Sequence, residues 1–308
     1  MVRVMVKPKR QDLPETTKPS LRVAATPIGN LGDVSLRLRQ AFDEAKVILC
    51  EDTRRTRELL SALQIPAPAL ERFDAHAAPA TVEHLVARAR GGESFVLVSD
   101  AGTPGVADPG ARLVRAFLEA DLKVEPIPGP SAVAVFLSIC GADESPSVFW
   151  GFFPRKRKER QEALLAAQEV ARQGARLSIW FESPERILDA LEDCSDILGG
   201  LKLSASIVKE LTKRFERIFR GELAQVVSFV RAEVEREGAR GEWIFALEFP
   251  EQPPSPILTS SEEEWLKALK CLLLAEVSSA TAARIVSQRY GAERQQVYRK
   301  ATEIKKSS

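Results

Sequence analysis

The sequence predicts an α/β protein: two α/β (αβα-sandwich) domains, plus a small C-terminal helical domain. Three observations predict it. Short β-type runs alternate with helical patterns from Leu21 to Phe249, which favours largely parallel sheets covered by helices. The alternation is interrupted once, at GADESPS, 141–147. Beyond the proline-rich PEQPPSP only helical patterns follow, so a linker separates them from the rest. The expected units are a disordered basic tail (1–20), an N-terminal α/β domain (21–140) and a second α/β domain (141–250). A linker (251–258) and a helix–turn–helix-like domain (259–304) complete the chain.

The elements follow in order. LRVAAT reads as a strand, SLRLRQAFDEA as a short helix, KVILC as a strand and TRRTRELLSAL as an amphipathic helix. FVLVSD, GARLVRAFLEA, KVEPIP and SAVAVFLSICG repeat that pattern. After the break come VFWGFF, ERQEALLAAQEVARQ, RLSIWF, PERILDALEDC, LSASIVKEL, ELAQVVSFVRAEVE and EWIFALEF. The last three helices are SEEEWLKALKCLLL, SSATAARIVSQRY and AERQQVYRKATEI, with Gly291 between the second and third. Ser260 or Ser261 before Glu262, Glu263 and Glu264 suits a helix N-terminus. The final pair is either a nucleic-acid element with a basic last helix or a helical cap packed on the second domain.

Composition narrows the function classes. The chain has 308 residues and is 44% hydrophobic and 28% charged, the balance of a globular protein with two modest cores. No apolar run is long enough to cross a bilayer, and the N-terminus lacks the apolar block of a secretory signal, so the cytoplasm is expected. Cys50, Cys140, Cys194 and Cys271 are far apart, and only His76 and His84 accompany them. Buried free thiols are expected rather than zinc, and no metal is assigned. The formal net charge is +1, so nucleic-acid binding requires local concentration of basic charge.

Ligands of parallel sheets sit beyond the carboxyl ends of the strands. Three such ends carry glycine and proline: TPIGNLGD (26–33), SDAGTPGVADPG (99–110) and PIPGPSA (126–132). Glycine lets a ligand approach the backbone and proline fixes the loop. One such loop is an ordinary βα turn; three point to a ligand cleft. Ser131 is expected to cap the following helix, and Asp108 the helix near Pro109. Asp100 suits ribose hydroxyls or a cationic ligand. The chain has no GxxxxGK[ST], GxGxxG or GxSxG, which removes the usual triphosphate, dinucleotide and serine-hydrolase fingerprints.

TPIGNLGD, EDTR (51–54), SDAGTP, DPG, PGPSA, GFFPRK, FESPERI and KELTK occur in that order. Together they resemble the small-subunit (16S) ribosomal RNA 2′-O-methyltransferases that modify a cytidine of the decoding centre, a branch of the tetrapyrrole methylase-like superfamily. The resemblance spans Leu21 to Phe249. It implies S-adenosylmethionine in a cleft between two α/β domains, a homodimer, and ribosomal RNA as substrate in the assembled small subunit. The cofactor wall it implies comprises Thr26, Pro27, Gly29 and Asn30; Asp100, Ala101, Gly102 and Thr103; Ser131 and Ala132; Phe181 and Glu182; Leu211; and Gly241 with Glu242. Two stretches depart from the family: DAHAA (74–78) stands where relatives carry an HEHNE-like sequence, and PER (184–186) where they carry PHR.

A ribose 2′-OH is a weak acid, so an acceptor or a cation near it helps transfer. Glu51, Asp52 and Glu210 are candidate acceptors, and Arg54, Lys209 and Lys213 candidate cations. Asp52 and Arg54 are preferred because EDTR marks the RNA-modifying branch, and Glu210 and Lys213 join them as catalytic candidates. The alternative for Asp52 and Arg54 is a helix N-terminal Asp with a surface ion pair. RKRKER (155–160) has five basic residues in six. Arg155, Lys156, Arg157 and Lys158, with Arg55 and Arg57, form the expected RNA surface. Two other functions remain open: a methyltransferase of this fold acting on a tetrapyrrole or other small molecule, and a non-catalytic nucleic-acid-binding regulator.

Overall fold

The structure is a computed structural model and describes residues 20–142, 146–251, 262–274 and 277–307. The basic tail, most of the linker, Ser260, Ser261 and part of the GADESPS break lie outside them.

The first sheet joins β1 (Leu21–Ala24), β2 (Val47–Cys50), β3 (Ala69–Arg72), β4 (Phe95–Leu97) and β5 (Val124–Ile127) in the order β3-β2-β4-β1-β5. Every pairing is parallel. Its central strands are apolar at successive positions because both faces are covered. In β2, Ile48 and Cys50 face α1 (Leu36–Glu44) and α2 (Thr53–Ala62), where Leu38, Phe42 and Leu60 are buried. Val47 and Leu49 face α3 (Pro79–Arg90) and α4 (Gly110–Glu119), against Leu85, Leu113 and Phe117.

The second sheet has a different pattern. It joins β6 (Ser147–Phe152), β7 (Leu177–Glu182), β8 (Ser204–Lys209), β9 (Arg217–Glu222) and β10 (Trp243–Glu248) in the order β6-β7-β10-β8-β9. Only β6 and β7 run parallel; the other three pairings are antiparallel. One face packs on α6 (Arg157–Arg172), α7 (Ile187–Leu198) and α8 (Leu223–Glu237), around an aromatic centre of Phe153, Trp180 and Phe245. The opposite face presents Ile179, Val208, Ile244 and Ala246 to Phe136 and Cys140 of α5 (Ala132–Ile139) and its C-cap, and to Ile28 of the first loop. The first domain therefore supplies the second layer over this sheet, and the junction is a shared hydrophobic core.

β3, α3 and β9 were not among the elements read from the sequence. β3 and β9 are edge strands with mostly exposed or half-buried side chains, so they lack the apolar signature of a central strand. The antiparallel pairings of β10 with β7 and β8, and of β8 with β9, make the second sheet mixed, where alternation alone suggested parallel strands.

The last helices are α9 (Glu262–Leu274), α10 (Ser279–Tyr290) and α11 (Arg294–Ser307). Trp265, Leu269, Ala282, Ala283, Val286, Val297 and Ala301 give them a core of their own. Gly291 closes α10 in the left-handed region (φ 66°), with its N–H bonded to the Ser287 carbonyl. Among the described residues, no helix is long and apolar enough to cross a membrane.

Candidate active site

The three glycine- and proline-bearing loops meet at the carboxyl ends of β1, β4 and β5. Backbone bonds join the first two: the Thr26 N–H donates to the Gly102 carbonyl at 2.9 Å, and the Gly102 N–H to the Thr26 carbonyl at 3.1 Å. Gly102 holds φ at 81°, and a Cβ there would meet Ile28 at 3.2 Å, so the position favours glycine on both counts. The Thr103 hydroxyl donates to the Pro130 carbonyl at 2.9 Å and ties the second loop to the third. Asp108 accepts from the N–H groups of Gly105 and Gly110, both at 2.8 Å, as its position before α4 suggested. Ser131 does stand at the N-cap of α5, but its hydroxyl makes no capping bond; it lines the cleft instead.

The loops enclose a cavity of about 460 Å³ that the second domain closes. Asp100, Ala101, Gly102, Thr103, Ser131 and Ala132 line it from the first domain, and Phe181, Glu182, Leu211 and Glu242 from the second. The remaining wall residues expected from the sequence stand outside the lining. Thr26 is buried behind it as part of the backbone bridge. Pro27, Gly29, Asn30 and Gly241 do not face the cavity. Gly29 serves the domain junction, where a Cβ would lie 2.3 Å from the Lys213 side chain. Ile28, Val106, Trp243 and Ile244 supply apolar lining that sequence reasoning missed; their signal is the ordinary hydrophobicity of loop and strand residues, which marks core and cavity alike.

Polar capacity in this wall is unspent. Glu182 is buried, and its Oε1 accepts from the Ser183 N–H and from Arg186. Its Oε2 and the Ser183 hydroxyl are buried without a hydrogen-bond partner. Buried polar atoms left unpaired are costly, so they mark a place for a polar ligand group.

Beside the cavity lies the turn after β2. The Asp52 N–H donates to Asp100 Oδ1 at 3.1 Å, the Asp100 N–H donates to Glu51 Oε1 at 3.2 Å, and Arg55 pairs with Asp100 at 3.1 Å. EDTR and SDAGTP thus clasp each other. Burial raises the Glu51 carboxyl above its ordinary value, and the charges of Asp100, Asp108 and Asp74 act in the same direction. Asp52 shifts the other way. The Arg54 guanidinium bonds it at 2.7 and 3.1 Å, the Arg54 N–H bonds it at 2.8 Å, and its carboxyl is held well below the usual range. Asp52 is the N-cap of α2. Neither Asp52 nor Arg54 lines the cofactor-sized cavity; both line an adjoining pocket of about 480 Å³ with Arg72, Asp74 and His76. Glu51 and Asp100 line both.

On the opposite side, Lys213 Nζ bonds Glu210 Oε1 and Glu242 Oε2, each at 2.9 Å. Burial opposes ionisation of Glu210, but the bonds from Lys213 and the Glu242 N–H outweigh it and hold the carboxyl below its ordinary value. Glu210 and Lys213 flank the cavity without lining it. Lys209 is excluded from the site. It is buried against Glu233, Glu237 (2.5 Å) and the Trp243 ring, among α8 side chains.

The RKRKER segment divides. Arg160 is buried, paired with Asp193 at 2.9 Å and donating to the Pro154 carbonyl. Arg157 bonds Asp193 and Asp196, and Lys156 pairs with Glu159 at 3.2 Å. Arg155 and Lys158 are exposed beside them. Arg55 and Arg57 are exposed on α2, with Arg55 held toward Asp100. The expected RNA surface therefore includes residues already used by the fold.

The model of the tetrapyrrole (corrin/porphyrin) methylases matches residues 20–227. The chain belongs to this family. Among curated methylase relatives, it is 34% identical over 283 residues to "Ribosomal RNA small subunit methyltransferase I" of Xylella fastidiosa (strain Temecula1), covering 92% of this chain and 99% of that protein. It is 32% identical over 295 residues to the protein of that name from Escherichia coli O157:H7, covering 96% and 99%. Solved structures of the same fold include a diphthine synthase, at TM-score 0.54 and 15% identity over 74% of this chain and 89% of that one. A cobalt precorrin-4 methyltransferase aligns at TM-score 0.52 and 15% identity, over 73% and 93%. The methylase fold thus accounts for both sheets and the cleft between them.

Proposed function

We propose that the protein transfers a methyl group from S-adenosylmethionine to the RNA of the small ribosomal subunit, at the ribose 2′-OH of a cytidine in the decoding centre. One observation carries the proposal. A cavity lined by three backbone-stitched loops and an unspent buried carboxylate oxygen shares Glu51 and Asp100 with a second, polar pocket. The two pockets fit a cofactor and an acceptor meeting at one seam. The names of the relatives, matched over nearly the whole chain, support RNA as acceptor, and the tetrapyrrole enzyme supports only the fold. The motif resemblance supports the ribose oxygen and the cytidine. It also supports a homodimer, the assembled subunit as substrate and a cytoplasmic site of action. The functional units proposed are the loop-bearing domain 21–140, the closing domain 141–250 and the helical domain 259–304.

The residues present fit the cofactor. Ile28, Phe181, Leu211 and Ile244 give it apolar walls, while Asp100, Glu182 and Ser183 offer polar partners. Bound there, it supplies a methyl already activated by a sulfonium charge. The chain's own task is alignment, which accounts for much of the acceleration in such reactions. Glu51 is the proton acceptor in this reading. Its carboxylate would take the proton of the ribose hydroxyl as that oxygen is methylated, and then release it to solvent. A raised carboxyl is a better base than one held low, which favours Glu51 over Asp52. Asp52 and Arg54 become positioning residues at the rim of the acceptor pocket.

The test mixes the protein with labelled S-adenosylmethionine and small subunits from cells lacking the gene, and maps the label by nucleoside mass spectrometry. Label on one ribose 2′-oxygen, lost in Asp100→Ala, is the expected result. Cofactor binding without label on subunits or free RNA would overturn the acceptor. No cofactor binding would overturn the whole reading.

A further inference from the structure

The cleft leaves one concentration of charge unused. Between Val277 and Ser307 the sequence has seven basic residues, Arg284, Arg289, Arg294, Arg299, Lys300, Lys305 and Lys306, against two acidic ones, Glu293 and Glu303. The whole chain has a formal net charge of only +1, so the positive excess is concentrated in its last two helices. α11 buries Val297 and Ala301 in the helical core. Its outer face contributes Arg294, Gln295, Tyr298 and Arg299 to a groove of about 490 Å³, floored by Ala280 in the first turn of α10. Both arginines and Gln295 are exposed, and Tyr298 is 48% exposed. Among the described residues, neither arginine is ion-paired to a carboxylate, whereas Lys300 on the same helix is paired with Glu303 at 3.2 Å.

We propose that this groove is a second RNA-binding site, which holds the phosphate backbone of the substrate away from the methylated nucleotide. Charge complementarity selects the occupant: unpaired guanidinium groups are forks for phosphate oxygens. Arg294 with Tyr298, and Gln295 with Arg299, form two i,i+4 rows on the helix. The guanidinium groups start about 7.5 Å apart along its axis, so they address two positions on a strand. Tyr298 adds a phenol and an exposed ring, and Gln295 an amide, all suited to backbone and sugar contacts. Among the described residues no base-reading array accompanies them, so the site supplies affinity and orientation rather than sequence choice. The assignment rests on RNA as the acceptor of the methylase, and adds the means by which a large substrate is held at two places.

The test uses the full-length protein and the double variant Arg294→Gln/Arg299→Gln, with Arg294→Lys/Arg299→Lys as a charge-retaining control. Unmethylated small subunits are the substrate, and a labelled RNA duplex of arbitrary sequence is the binding probe. In the Gln variant, KM for subunits is expected to rise about ten- to a hundredfold at physiological salt. Its kcat at saturation and its cofactor affinity by calorimetry should stay within twofold of the parent. The slope of log affinity for the duplex against log salt should fall by about 1.4 to 1.8 for two lost phosphate contacts, and the Lys variant should keep the parent slope. An unchanged KM and slope in the Gln variant would overturn the site. So would equal losses in the Lys variant, which would assign the arginines a structural role, or preferential binding of duplex DNA. If the parent binds cofactor but methylates no subunit, the acceptor assignment fails, while the duplex measurement still decides the groove.

Discussion

The two walls of the cleft are held together by different forces. The first-domain wall is stitched through backbone groups: the Thr26–Gly102 bridge, the Pro130 carbonyl that accepts from the Thr103 hydroxyl, and the Gly105 and Gly110 N–H groups held by the Asp108 carboxylate. The second-domain wall is held by side-chain charge: Arg186 on Glu182, and Lys213 between Glu210 and Glu242. A wall held mainly through backbone groups is little affected by salt and depends on glycine and proline at fixed positions. A charge-built wall adjusts with ionisation and is open to screening. Between them sits Glu51, bonded to the first wall and raised in pKa by burial.

The largest expected effect comes at the seam. Glu51→Gln should lower kcat about 10²- to 10⁴-fold if Glu51 is the acceptor, with cofactor affinity nearly unchanged by calorimetry. The acid limb of the parent pH–kcat profile should lie above the ordinary carboxylate range and vanish in the variant. The same shift has a stability consequence. A carboxyl raised on folding favours the folded state below its unfolded pKa, and that contribution is lost as pH rises through the folded value. Glu51→Gln should therefore raise the melting temperature at pH 7 relative to the parent, more than it does at pH 4. A drop in kcat of less than about threefold would move the base elsewhere.

Next is the shared core behind both walls. Phe136 is fully buried where α5 meets the second sheet, and Phe136→Ala should cost about 3–5 kcal/mol in denaturant unfolding. The backbone wall breaks at Gly102. Gly102→Val forces a β-branched residue into a left-handed conformation against Ile28, at a cost of about 1–3 kcal/mol. The variant should fold but bind cofactor at least tenfold more weakly, at low and high salt alike. The charge-built wall gives the smallest effect: Lys213→Met should weaken cofactor binding less than tenfold, and the difference from the parent should shrink as salt rises. Equal salt dependence in the two variants would erase the distinction between the walls.

The loops were legible because glycine and proline at strand ends carry meaning in backbone terms alone. Asp100 and Gly102 could be read that way, and most of the wall carried over from the motifs lines the cavity. Glu51 could not be ranked above Asp52 from sequence. Adjacent acids in EDTR differ only in what folds against them: Arg54 caps one, and burial isolates the other. The basic run at 155–160 was similarly ambiguous, since only the fold brings Asp193 onto Arg160. β3 and β9 escaped because a strand with one neighbour and wet side chains has no periodic apolar face. The mixed pairing of the second sheet escaped because alternation along the chain does not fix the direction of β10 between β7 and β8.

The layer that α5 lends to the second sheet ties the domains into one thermodynamic unit. Among the described residues, Ile179, Val208, Ile244 and Ala246 have no helix from their own half to cover them, so a chain cut at the domain boundary would expose that face on one fragment and Phe136 on the other. Separation of the halves in a hinge motion would wet the same surface, which makes local loop movement the less costly route for cofactor exchange. Heating should then melt both halves in a single calorimetric transition. Cofactor at a hundred times its dissociation constant should stabilise that transition as a whole, by about 2.7 kcal/mol.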